Sequence, residues 1–257
     1  PISDPFPLRR IYEASTDHCR FHGRYAGAVC GAMLAISVNF QQFGISAYPA
    51  GAAAEARSGF ITALYVVFVP LLSFFFGKKV SPVIWASVAV AVVGFYMLCL
   101  SRGISGIYTA DILVFICAFC FAGQIISVDK FVGLTGGVKL SVMQFTVAGA
   151  LSAAFAVIFE RPTMENIIAA APQILYLGIV SSGVGYTLQI VGQKYAEPSV
   201  ASLSMSLESV FAALGGWLIS GNTLTGREFI GCALVFAAII VAQIPEMAGS
   251  RKKANSP

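Results

Sequence analysis

At 257 residues, with 57% hydrophobic and only 11% charged residues and a mean hydropathy of +0.81, the chain carries too much apolar surface for a water-soluble domain. The formal charge of +4 does not point to nucleic acid, because the basic residues are spread through short loops and tails rather than gathered on one face. A disulfide framework is not expected either, since five of the six cysteines (Cys30, Cys99, Cys117, Cys120 and Cys232) fall inside apolar runs.

The first 24 residues are polar and hold no apolar core of the length a cleavable leader requires. Asp17, His18, Cys19 and His22 lie there without a second cluster to complete a coordination shell, so no metal is expected. Crossing about 30 Å of hydrocarbon takes about 20 apolar residues in a helix. Eight runs serve as spans: Tyr25 to Phe43, Ser58 to Phe76, Pro82 to Leu100, Tyr108 to Val128, Leu140 to Phe159, Ala169 to Val191, Val200 to Ser220, and the short Phe229 to Ile244. Backbone groups in lipid must pair within their own segment, and nothing alternates as a barrel strand would. The expected fold class is therefore an all-α polytopic membrane protein.

Gly31 to Leu100 is repeated from Gly178 to Ile244. Gly31 pairs with Gly178, Ala35 with Ser182, Gln42 with Gln189 and Tyr48 with Tyr195, at an offset of 147. After an insertion around Gly51 to Glu55 the offset becomes 143 or 144, so that Leu64 meets Leu207 and Gly77 meets Gly221. Five crossings separate the first span of each copy, and an odd number turns the second copy upside down. Inverted repeats of this kind build secondary transporters, with a site between the halves near the midplane. The expected division is a segment over 1–24, a first incomplete repeat over 25–100, a second over 108–245 and a tail over 246–257. Tyr108 to Val128 and Leu140 to Phe159 have no counterpart before Tyr25. The expectation is a ten-span, five-plus-five architecture of which this chain lacks the first two spans, either as a fragment or as a genuine variant.

Placing the amino terminus in the cytoplasm puts Arg9, Arg10, Arg20, Arg24, Lys78, Lys79, Lys130, Lys139, Lys194, Arg251, Lys252 and Lys253 inside. Arg57, Arg102, Arg161 and Arg227 remain outside, and the two sets make up all sixteen Lys and Arg. The bias predicts both termini in the cytoplasm, in the plasma membrane.

Glu208 is the only ionisable residue more than a turn from the end of any span. A central carboxylate costs on the order of 2.5–3.5 kcal/mol on insertion scales, so it is expected to face protein or trapped water. Its helical neighbours Ala201, Ser204, Met205 and Phe211 form a partly polar face, with Leu203, Leu207 and Val210 on the other side. Two roles fit it: a proton-coupling or cation-binding carboxylate, or a hydrogen-bonded residue locking two helices. The matching position in the first copy is Tyr65, which shares a face with Ser58, Thr62 and Val69 and precedes the helix-kinking Pro70. Gly27, Gly31, Ala35 and Asn39 form a small-residue stripe that admits a close neighbour, followed by Gln41 and Gln42. Tyr186 and Gln189 stand at the corresponding end of the second copy, and Gln124 and Gln144 add amides from between. The candidate substrate-binding set is Glu208, Tyr65, Gln42, Asn39, Gln124, Tyr186, Gln189 and Ser204; the amides serve equally as bonds that hold the bundle. Asp129 with Lys130 and Glu55 with Arg57 sit at helix ends, where interfacial charges need no special function.

Two blocks, GFITALYVVFVPLL over Gly59 to Leu72 and SLESVFAALGGWL over Ser206 to Leu218, resemble the fourth and ninth helices of EamA-type permeases of the drug/metabolite transporter superfamily. Glu208 stands at that family's usual acidic position. Ser209 stands where a proline commonly follows the acid, which departs from the pattern. The resemblance implies a ten-helix bundle of two inverted five-helix repeats and a transporter of small metabolites such as amino acids, without an attached ATPase. The expected function is secondary transport, as export, by alternating access; the alternative is a truncated or non-transporting membrane component that needs a partner to complete the bundle. GxxxxGK[ST], HExxH and GxSxG are absent, and neither an enzyme nor a cofactor is expected. The expected partners are the lipid bilayer and a small-molecule substrate, with proton coupling and a homo-oligomer left open and no nucleic acid.

Overall fold

The computed structural model describes residues 7–49, 54–99, 108–160, 162–211 and 225–254, with side chains over 23–49, 54, 57–98, 108–160, 162–211 and 225–244. The side chains of Asp17, His18, Cys19 and His22, and residues 212–220 of the seventh span, lie outside the described part. The described residues contain helices and no strand. In chain order these are α1 (Pro7–Ser46), α2 (Ala54–Ala63), α3 (Tyr65–Phe75), α4 (Pro82–Cys99), α5 (Thr109–Thr135), α6 (Gly137–Phe155), α7 (Met164–Ala169), α8 (Ala171–Leu175), α9 (Thr187–Gln193), α10 (Pro198–Met205) and α11 (Gly226–Ala254). Helix α6 continues as a π-helical stretch, Ala156–Glu160, and a longer one, Tyr176–Tyr186, joins α8 to α9.

Six described segments are long and apolar enough to cross a membrane: Gly23–Ser46, Arg57–Phe75, Thr109–Thr135, Gly137–Glu160, Ala171–Gln193 and Gly226–Ile244. The chain is an all-α polytopic membrane protein. The third expected span is a shorter apolar helix, Pro82–Leu98, and the seventh is described only to residue 211, so six of the eight expected spans are present at full crossing length.

Helix association in lipid gains nothing from simple apolarity, because acyl chains are as apolar as leucine; it rests on close packing and polar contacts. Two compact units result, residues 1–35 with 127–195, and 36–126 with 196–257. Their boundaries do not follow the two sequence copies. The first unit holds the first span of the second copy and the start of that of the first copy, up to Ala35, and the second unit holds the second and third spans of each.

Within the first unit the stripe on α1 does what its composition implies. A Cβ on Gly27 would lie 2.4 Å from Cβ of Met143, and one on Gly31 would lie 2.6 Å from the Gln144 carbonyl oxygen and 2.7 Å from Cβ of Val147. Both residue numbers rise together, so α1 and α6 run parallel. Helix α9 returns antiparallel to α6, with Val191 against Gly137 and the Thr187 and Ser141 hydroxyls hydrogen-bonded at 2.6 Å. Ala26, Cys30, Val128, Phe131, Val132, Leu140 and Ile190 form the core between them.

Within the second unit the largest core joins α4 to α11, through Ile84, Val88, Ala91, Phe95 and Leu98 on one side and Cys232, Val235, Ala238 and Ile239 on the other. Gly94 approaches Val235 while Gly231 approaches Leu98, an antiparallel crossing. These are the third helices of the two copies, and opposite orientation is what an inverted repeat demands. The backbones nearly touch: a Cβ on Gly231 would lie 2.7 Å from the Gly94 carbonyl oxygen and 2.8 Å from the Leu98 nitrogen. Substituting Gly231→Leu is expected to cost about 1–3 kcal/mol through overpacking. Gly192→Leu, whose Cβ meets nothing within 4 Å, is expected to leave the thermal midpoint in detergent close to wild type.

Candidate functional site

The second span of each copy is interrupted. In the first copy α2 gives way to α3 at Leu64, whose ψ of −12° is far from the about −42° of a regular helix. There the Leu64 N–H donates to the Ile61 carbonyl at 3.1 Å, and the Val67 N–H to the Leu64 carbonyl at 2.8 Å, a tight three-residue closure. In the second copy α10 ends at Met205, and Ser206 has a ψ of −13° before helix resumes over 207–211. The Ser206 N–H is shared between the Ser202 and Leu203 carbonyls at 3.2 and 3.1 Å. Serine chemistry explains this break: Ser202 Oγ donates to the Ser199 carbonyl at 2.8 Å and Ser206 Oγ to the Ser202 carbonyl at 3.0 Å. Back-bonding of this kind bends helices. In the first copy Pro70 follows the break and withholds a donor from the same helix.

Tyr65 lies one residue beyond the first break and Glu208 two residues beyond the second, both in the second unit. Tyr65 is half-buried and packs, with Met205, on a small cluster of Val69, Ala122 and Ile125. Gln124, on the same helix α5 as Ile125, is buried. Ser204 is half-buried on α10, one residue before Met205. Tyr65, Gln124 and Ser204 thus come from three helices that share one apolar contact.

The amides on α1 divide differently from expectation. Gln41 donates through Nε2 to Thr62 Oγ1 at 3.2 Å, half a turn before the Leu64 break, whereas Gln42 is exposed and Asn39 half-buried. Tyr186 and Gln189 lie in the first unit. Tyr186 meets Phe145 edge to face at 6.0 Å, and Gln189 Nε2 is buried with no hydrogen-bond partner among the described residues.

Glu208 itself is exposed, while Leu207 packs on the main core and Val210 is buried. Its helical face therefore points away from the core of its own unit, where the sequence pattern predicts a shielded position. Residues 212–220, next along the same span, lie outside the described part.

The sequence leaves Arg57, with Glu55, at a helix end without a special function; in the structure Arg57 bonds to Asp111, and the side chain of Glu55 lies outside the described part. The guanidinium donates from Nη2 to Asp111 Oδ2 at 2.6 Å and from Nε to Oδ1 at 3.3 Å, with the side chains only 7% and 12% exposed. Tyr48 donates its phenol to Asp111 Oδ1 at 2.6 Å, and the Tyr108 backbone N–H donates to Oδ2 at 2.8 Å. The guanidinium also lies 4.7 Å from the Tyr108 ring centroid and 5.9 Å from that of Tyr48, within cation–π range. Burial and the adjacent carboxylate push the Tyr48 phenol above its usual range, so it stays a donor. This cluster ties the ends of α1, α2 and α5 together. The signal for it in the sequence is an opposite charge in the first turn of a span whose start lies on the same side of the membrane as Arg57.

The two helix breaks, at Leu64 and Ser206, fall within one residue of equivalent places in the two sequence copies of this polytopic membrane protein, as the discontinuous helices of inverted-repeat folds do. The profile of the EamA-like transporter family matches residues 108–243, and the chain belongs to that family. An uncharacterized transporter of Archaeoglobus fulgidus is 32% identical over 189 residues, covering 73% of this chain and 60% of the relative. A second uncharacterized transporter of that organism is 33% identical over 66 residues, 26% of this chain and 24% of the relative. The matched region thus spans less than two thirds of either relative's length. A solved crystal structure aligns with a TM-score of 0.65 over 95% of this chain and 79% of its own, at 19% identity, which shows the shared fold.

Removing one partner of the buried ion pair strands the other. Asp111→Leu is expected to destabilise the protein by about 3–5 kcal/mol, while Arg57→Met with Asp111→Leu recovers most of the loss. Denaturation of the purified variants in micelles measures both.

Proposed function

We propose that the protein is a secondary transporter of small metabolites such as amino acids, working by alternating access in the direction of export. The observation that carries this reading is the pair of helix breaks at Leu64 and Ser206, followed within two residues by a polar side chain, Tyr65 or Glu208. Interrupted helices present carbonyls and polar side chains at membrane depth, where transporters hold their substrates. In this reading Glu208 is the ionisable group that exchanges a proton or cation with the substrate. Tyr65, Gln124 and Ser204 line the substrate path with Asn39 and Gln42. The charge bias supports cytoplasmic termini.

A second reading, a bundle that needs further helices from a partner, is favoured by the exposure of Ala171–Gln193. Only 6% of an 18-residue apolar window in that span is buried, against 50% in Thr109–Thr135. Two purified species, a monomer without flux and an active hetero-assembly, would identify it.

Flux of radiolabelled amino acids in proteoliposomes, with and without an imposed pH gradient, tests the leading reading. Glu208→Gln is expected to lower flux by about tenfold or more, the equivalent of one charge-assisted hydrogen bond, and to remove its dependence on the gradient. Tyr65→Phe is expected to lose about two- to tenfold while keeping that dependence. Unaltered flux and pH response in Glu208→Gln would refute the assigned role.

A further inference from the structure

The turn between α3 and α4 carries chemistry that the transport reading does not use. Helix α3 ends an apolar span at Phe75, and Gly77 turns the chain at φ +80°, a conformation costly for any residue with a Cβ. The backbone closes that end itself: the Phe76, Gly77 and Lys78 N–H groups donate to the carbonyls of Leu72, Phe74 and Ser73, each at 2.9 Å. Beyond it lies an open groove of about 650 Å³, lined by Phe74, Lys78, Lys79, Ser81 and Trp85 among others. Both lysines are exposed, and no carboxylate lines the groove. Ser81 Oγ accepts the Val83 N–H at 3.3 Å, which leaves its own hydrogen to donate.

Around this cationic groove the surface is aromatic. Phe74, Phe75 and Phe76 are 60%, 74% and 73% exposed, and Trp85 is 36% exposed. They stand at the end of a 19-residue span, Arg57–Phe75, which is headgroup depth, where aromatic rings and lysines settle between acyl chains and water. A free anion would use the lysines and Ser81 but not the aromatic rim; an amphipathic anion would use both.

We infer that this turn is a binding site for the headgroup of an anionic phospholipid, with the phosphate held by Lys78, Lys79 and the Ser81 hydroxyl and the acyl chains lying along Phe74 and Trp85. Charge complementarity and the aromatic rim select this occupant over zwitterionic lipid. The site is independent of the transport reading, since it involves none of the residues assigned to the path.

The full chain, delipidated in detergent, is titrated with phosphatidylglycerol, phosphatidylcholine or inorganic phosphate while its thermal midpoint is followed. Phosphatidylglycerol is expected to raise the midpoint saturably, and the other two are not. Replacing both lysines (Lys78→Gln with Lys79→Gln) is expected to weaken the apparent affinity about 30-fold, at about 1 kcal/mol per lysine. Arginine at both positions is expected to preserve it, with unchanged helix content by circular dichroism in each variant. Equal affinity in the glutamine variant, or an equal response to phosphatidylcholine, overturns the site. An equal response to inorganic phosphate overturns the lipid assignment.

Discussion

Inside the hydrocarbon layer a peptide group has no water to turn to, so any interruption of a helix there must be closed by the chain itself. That constraint gives the breaks at Leu64 and Ser206 their meaning. Each closes by shortening a hydrogen bond from four residues to three, and the second adds serine hydroxyls that return to the carbonyls behind them. A turn of this kind is tolerated rather than favoured, and it falls within one residue of matching places in the two copies. It sets Tyr65 and Glu208 at the point where regular backbone pairing is relaxed.

The frame around the breaks is held by the opposite device, the removal of side chains. Gly27 and Gly31 let α1 meet α6, and Gly94 and Gly231 let α4 meet α11, at distances no Cβ would permit. With no hydrophobic drive between helices in lipid, dispersion over such close surfaces is the available adhesive. The parallel course of α1 and α6 and the antiparallel crossing of α4 and α11 agree with alternating passage through the bilayer. Thus rigid glycine seams and locally loosened second spans occur in the same fold.

Much of this was legible in the residues. Apolar length gave the spans, the offsets of 147 and 143 gave the inverted copies, and the four-residue spacing of Gly27 and Gly31 announced a close neighbour. What escaped was whatever depends on which way one side chain points. Adjacent Gln41 and Gln42 differ by about 100° around a helix, and only contact with Thr62 singles out Gln41. The serines of α10 are unremarkable in composition, yet their hydroxyls bend the helix. Glu208 has a partly polar face by sequence, but the packing of Leu207 and Val210 on the core turns that face outward. Arg57 and Asp111 are 54 positions apart, a separation that no local pattern of charges reveals.

The differences between the copies deserve as much weight as their likeness. If the two copies carried the same residues, the two ends of the bundle would be chemically equivalent. They are not. At the offset of 143 or 144, Arg57 corresponds to Val200 or Ala201, both buried and apolar, so the ion pair with Asp111 has no counterpart through that position in the second copy. Tyr65, a neutral hydrogen-bonding group, likewise stands opposite Glu208, an ionisable one. The ion pair fixes the ends of α1, α2 and α5 by a charge contact that water and lipid both fail to replace, because its members are nine-tenths buried. An inverted repeat supplies two related backbone halves, and these unmatched polar residues make the two halves chemically unequal.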